Sequence, residues 1–162
     1  MHQRKTVYLL LGSNLGDRLL ILQSAIELIE NQIGVIRKIS KVYQTAPWGV
    51  LDQPAFLNQV VELEVDLSPE DILRLVLSIE NELGRVRYER WGARVIDIDI
   101  LFYDDLVIDS ARLTVPHPRL HERRFTLIPL AEIAPHFSHP LLHKNIEQLL
   151  SECIDDSDVQ IF

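Results

Sequence analysis

The stretch Arg85-Val86-Arg87-Tyr88-Glu89-Arg90-Trp91-Gly92-Ala93-Arg94-Val95-Ile96-Asp97-Ile98-Asp99-Ile100-Leu101 decides how the rest of the chain is read. Side chains of an extended strand reverse direction at every residue, so Asp97 and Asp99 share one face while Ile98 and Ile100 share the other. Carboxylates set among Val, Ile and Leu are costly to bury unless a cation meets them. Two kinds of cation are on offer: a divalent metal ion, or the arginines just upstream, where residues 85–94 hold four arginines against one glutamate. Fixed carboxylates, a metal and clustered guanidinium groups together suit polyphosphate chemistry. An isolated D-x-D is better read as the acidic solvent face of an amphipathic strand. The neighbouring arginines tip the balance the other way.

Upstream of this stretch, Thr6–Leu11 is a short apolar run that reads as a buried strand, ending in a turn at Gly12–Asp17. Leucines and isoleucines at helical spacing predict a helix over Asp17–Gln32, stopped by Gly34. Val35–Tyr43 alternates as a strand, Gln44–Pro54 is a Pro/Gly loop carrying Trp48, and Phe56–Leu67 alternates again. Ser68-Pro69-Glu70-Asp71 combines a cap, a first-turn proline and acids at the positive end of the dipole, predicting a helix to about Leu83. The order strand, helix, strand, strand, helix, strand predicts an α+β, ferredoxin-like βαββαβ core with both helices on one face of an antiparallel sheet. Downstream, Val107–Asp109 and Leu113–Val115 read as short strands, Pro116-His117-Pro118 as extended backbone, and Arg123–Glu132 and Asn145–Ile154 as helices. Residues 155–162 are expected to fray, and the whole of 1–162 to form one domain.

A net charge of −8 argues against general nucleic-acid binding. The single cysteine, Cys153, allows neither an intrachain disulfide nor a Cys-based metal site. No stretch approaches the roughly 20 apolar residues of a membrane span, and Val7–Leu11 is too short for a signal-peptide core, so a cytoplasmic monomer is expected. From Val42 to His143 the chain has no lysine, only arginine, whose planar fork suits phosphate. Mg²⁺ is the natural metal for Asp97 and Asp99, since it takes one or two carboxylates and leaves its other positions to water and phosphates. His117 lies between prolines, with Arg112 and Arg123 nearby, and is a phosphate or metal-water contact or a structural residue. Trp48, Phe56 and Phe125 are core residues or the walls of a flat aromatic pocket. A Mg²⁺-dependent phosphohydrolase and a non-catalytic ferredoxin-like module stay open on these grounds alone.

Six segments carry a resemblance that narrows the choice. R-W-G-A-R-V-I-D-I-D-I-L at 90–101 resembles the signature of the 6-hydroxymethyl-7,8-dihydropterin pyrophosphokinase family of folate biosynthesis. G-S-N-L-G-D at 12–17, Y-Q-T-A-P-W-G at 43–49, D-Q-P-A-F-L-N at 52–58, E-N-E-L-G-R at 80–85 and R-L-T-V-P-H-P-R at 112–119 agree with it in order. The resemblance implies transfer of pyrophosphate from ATP to the pterin hydroxymethyl group, releasing AMP, with two Mg²⁺ ions held by Asp97 and Asp99. It implies catalytic roles for Arg85, Arg94 and the two aspartates. It further implies a pterin pocket lined by Thr45, Ala46, Trp48, Phe56, Asn58 and Phe125. Glu80, Ile100, Arg112, Thr114, His117 and Arg123 would face ATP, joined by Arg87 and Arg90 on a closing loop.

Overall fold

The computed structural model describes residues 4–45, 55–84 and 95–162. Strand β1 (Lys5–Ser13) lies between β4 (Phe56–Val65) and β5 (Asp97–Tyr103), antiparallel to both. On its far side β4 carries first β2 (Gly34–Ile39) and then β3 (Tyr43–Thr45). Helix α1 (Arg18–Gln32) links β1 to β2, and α2 (Pro69–Gly84) links β4 to β5. This is the expected ferredoxin-like core. Both helix starts are capped: Asp17 accepts from the Leu20 amide at 3.2 Å, and Ser68 Oγ, the cap read from the chain, from the Asp71 amide at 3.2 Å. Gly34 lets α1 turn directly into β2, because a Cβ there would lie 2.3 Å from the Glu64 carbonyl oxygen.

Three local expectations are corrected. β1 does not end at Leu11 but continues through Gly12 and Ser13, where the buried Ser13 Oγ donates to the Val95 carbonyl at 2.9 Å. The strand expected over Val35–Tyr43 is two strands, because Ser40 breaks it and takes over its pairing. The Ser40 amide donates to Val60, Ser40 Oγ accepts from the Val60 amide, and Gln59 Nε2 donates to the Ser40 carbonyl. The tail is not frayed: Val159–Ile161 forms β8, antiparallel to β3 at the sheet edge. Acidic composition suggested fraying, but the pairing partner comes from far away in sequence.

The C-terminal part adds β6 (Ile108–Asp109) paired with β7 (Thr114–Val115), a 3₁₀ turn at Leu120–Glu122, α3 (Arg124–Ile133) and α4 (Ile146–Glu152). α3 and α4 cover the sheet face opposite α1 and α2. β1 is therefore buried on both sides, which explains its continuous apolar run. Val7, Leu9 and Leu11 pack under α1 and α2, while Tyr8 and Leu10 pack toward α3 and α4. Among the described residues no helix is long and apolar enough to cross a membrane.

Candidate active site

Paired residues of neighbouring antiparallel strands put their side chains on the same face. One such row runs across the sheet as Tyr43, Asn58, Gly12 and Asp97. Tyr43 fixes which face this is, since its hydroxyl donates to Glu132 of α3 at 2.5 Å. Burial and that carboxylate push the phenol up to about 12. Asn58 and Asp97 therefore stand on the α3 side, separated by a glycine. Gly12 leaves a recess between them; a Cβ there would reach within 3.4 Å of Asn58 Nδ2.

The adjoining row on the same face is Val60, Leu10 and Asp99. It gives the recess an apolar back and a second carboxylate two residues from the first. Asp97 is exposed and Asp99 partly buried. On the other side of Asn58 lies the Phe56–Thr45 pair. Thr45 is buried, and its hydroxyl has no hydrogen-bond partner among the described residues.

The chain segment leading into α3 lies against this face. The His117 amide donates to the Leu101 carbonyl at 3.0 Å, two residues beyond Asp99. Its Nδ1 accepts from the Arg119 amide at 3.2 Å, which assigns the ring proton to Nε2. Burial pushes His117 below its usual 6.5; Asp99 opposes this, while Arg123 and Arg119 add to it. His117 thus lies among one carboxylate and two guanidinium groups, with burial favouring its neutral form. Arg123 also lies over Phe125, with 5.7 Å from guanidinium carbon to ring centroid.

Asp97, Asp99, Thr45, Phe56, Asn58, His117, Arg123 and Phe125 are thus gathered at one end of the sheet, on one face. Four other expected residues sit differently. The Ile100 side chain is buried under α1 and α2, on the opposite face, so only its main chain can meet a ligand from the strand edge. Glu80 Oε2 accepts from the Ile98 amide at 2.7 Å, bracing the outer edge of β5. Arg112 and Thr114 are exposed around the β6–β7 hairpin. Ala46, Trp48, Arg85, Arg87, Arg90 and Arg94 lie outside the described residues. Two residues were not singled out from the sequence. Gly12 was read as part of a turn, and Arg119, which sits beside His117, has no spacing signal of its own.

The model of the 7,8-dihydro-6-hydroxymethylpterin-pyrophosphokinase family matches residues 8–135. The chain belongs to this family. It is 48% identical over 127 residues to a 2-amino-4-hydroxy-6-hydroxymethyldihydropteridine pyrophosphokinase of Bacillus subtilis, covering 78% of this chain and 76% of that protein. The enzyme of the same name from Aquifex aeolicus is 44% identical over 147 residues, 91% of each chain. Among solved structures, wild-type Plasmodium falciparum HPPK-DHPS superposes with a TM-score of 0.78 over 94% of this chain and 45% of that one. At 18% identity that match speaks for the fold, and this chain spans under half of the Plasmodium protein. Family membership makes this chain a pyrophosphokinase of folate biosynthesis, a transferase moving pyrophosphate from ATP to the pterin.

Proposed function

We propose that residues 1–162 act as one cytoplasmic, monomeric unit that transfers the β,γ-pyrophosphoryl group of ATP to 6-hydroxymethyl-7,8-dihydropterin and releases AMP. The observation that carries this assignment is the Tyr43–Asn58–Gly12–Asp97 row, which sets an amide edge and a carboxylate on either side of a side-chain-free recess. Asn58 would read the polar edge of the pterin, with the buried Thr45 hydroxyl beside it. Phe56 and Phe125 would stack on the ring, and Ala46 and Trp48 would complete the pocket. The hydroxymethyl oxygen would then point along the row toward Asp97.

Asp97 and Asp99 suit Mg²⁺ in number and kind: two hard oxygen donors on one rigid strand face, beside cations that can share a triphosphate. Asp97 and Asp99 would hold the ions, which would neutralise phosphate charge and polarise the β-phosphorus. The protein's own groups supply the remainder. Arg123 and neutral His117, its Nε2–H free to donate, would hold phosphate oxygens. Arg85, Arg87, Arg90 and Arg94 would add charge from the segment preceding β5. Arg112, Thr114 and the Ile100 main chain would meet the nucleotide. Glu80 would serve indirectly, by keeping β5 straight.

In the transfer the hydroxymethyl oxygen forms a bond to the β-phosphorus as the bond from that phosphorus to the α,β-bridging oxygen breaks, leaving AMP. Such a transfer depends on in-line placement and charge neutralisation more than on a strong base, and the hydroxyl proton can leave late. Incubation of the protein with ATP, Mg²⁺ and the dihydropterin should yield AMP and the pterin diphosphate. ADP as product, or equal ATP consumption without the pterin, would overturn the assignment.

A further inference from the structure

α3 begins at Arg124, so Arg123 occupies its N-cap position. An N-cap side chain normally accepts a hydrogen bond from the first turn, and arginine has no acceptor to offer. Accordingly Arg123 makes no such bond. The missing acceptor comes from 31 residues downstream: Asp155 Oδ2 accepts from the Arg124 amide at 2.9 Å. Asp155 is itself fixed, because Oδ1 accepts from the amide of Ser157 at 3.0 Å and from its hydroxyl.

The same tail holds the opposite wall of the recess. β8 pairs Val159 with Thr45 and Gln160 with Gln44, and the Phe162 amide donates to the Val42 carbonyl at 2.9 Å. The Phe162 ring lies under Arg18, 5.6 Å from its guanidinium carbon, and Arg18 Nη1 donates to the Ala55 carbonyl at 2.6 Å. Ala55 adjoins Phe56. One short segment therefore touches β3 at Thr45 and the first turn of α3, and through Arg18 it reaches the approach to β4 at Ala55.

We propose that residues 155–162 are a positioning element of the active site. Asp155 caps α3 in place of Arg123, so that Arg123 can turn its guanidinium to the ligand while Phe125 keeps its orientation. β8 sets the distance between the Thr45 wall and the α3 wall. This inference rests on the active-site reading given above, which assigns Phe125 and Thr45 to the pterin pocket and Arg123 to the phosphates of ATP.

The test compares the parent chain with Asp155→Ala, Asp155→Asn and a chain ending after Asp158. Each is assayed well below its own melting temperature for kcat, both KM values and the Kd of 6-hydroxymethylpterin, together with amide hydrogen exchange across residues 124–127. Asp155→Ala is expected to speed that exchange at least tenfold and to raise the pterin Kd about 5- to 20-fold. Asp155→Asn keeps an acceptor oxygen and should stay within about threefold of the parent on both readouts. The shortened chain should raise the pterin Kd about 5- to 10-fold, with the KM for ATP within twofold. Unchanged pterin affinity in Asp155→Ala and the shortened chain, or a lowered melting temperature with all constants intact, would overturn the inference. Faster exchange in Asp155→Ala with a parent that binds no pterin would instead overturn the site reading, leaving the cap itself established.

Discussion

Gly12 and Asn58 face each other across β1 and β4, and a Cβ on Gly12 would come to 3.4 Å from the Asn58 amide nitrogen. That contact is snug but bearable, so Gly12→Ala should fold with a melting temperature within a few degrees of the parent. Gly12→Val would project a branched side chain into the recess and should raise the pterin KM more than tenfold, with a smaller change in the KM for ATP. Steady-state kinetics with each substrate varied in turn checks this.

Asp97 is exposed and Asp99 partly so, and neither belongs to a hydrophobic cluster. Replacing either with alanine should therefore leave folding intact while lowering kcat about 10²- to 10³-fold, the scale of losing one electrostatic stabiliser of a transition state. Circular dichroism beside an AMP-release assay distinguishes this from general damage. Chelation of Mg²⁺ should abolish turnover in the parent, and added Mg²⁺ should restore it.

Glu80 presents the opposite pattern. Its carboxylate accepts the Ile98 amide on the open edge of β5. Glu80→Ala should cost about 1–3 kcal/mol of unfolding free energy, the range for orphaning a hydrogen-bonding group, and should lower kcat through a loosened β5. Glu80→Gln retains an acceptor and should recover most of both. Urea denaturation gives the first quantity, and kinetics the second.

The buried His139 ring predicts a pH dependence of stability. Burial lowers it from the usual 6.5 to about 4, with His121 and His143 adding to the effect, and its Nδ1 accepts from the Leu141 and Leu142 amides. The folded state therefore favours the neutral ring. Its contribution is complete above pH 6.5 and declines as pH falls from there toward 4, because the unfolded chain takes up the proton first. The melting temperature should drop between pH 7 and pH 5, and that slope should flatten in His139→Asn.

The sequence made the core legible where burial is one-sided or periodic. Ser68 announced its helix through capping chemistry, leucine and isoleucine spacing announced the first helix, and the six-element order fixed the sheet. Asp97 and Asp99 were readable because strand alternation alone puts them on one face. What escaped depends on contacts between distant residues. Ser40 breaks a strand whose local propensity is continuous, and only its partner Val60 reveals the reason. β8 pairs through β3, more than a hundred residues away. Gly12 has no local mark separating a turn glycine from one that clears a recess, and only its partners Asn58 and Asp97 supply that meaning. Ile100 shows the converse: its motif membership was plain, yet alternation turns its side chain away from the site.

The two-sided burial of β1 gives that strand a parity. Odd-numbered positions such as Leu9 report to the helices α1 and α2, and even-numbered ones such as Leu10 stand beside Asp99 on the opposite face. Shaving either leucine to alanine removes a similar volume and should weaken the fold by a similar amount, about 2–5 kcal/mol. Only the even-numbered loss opens a void beside Asp99. Adjacent residues in one strand thus write to different ledgers, one read by a denaturation curve alone and the other by turnover as well.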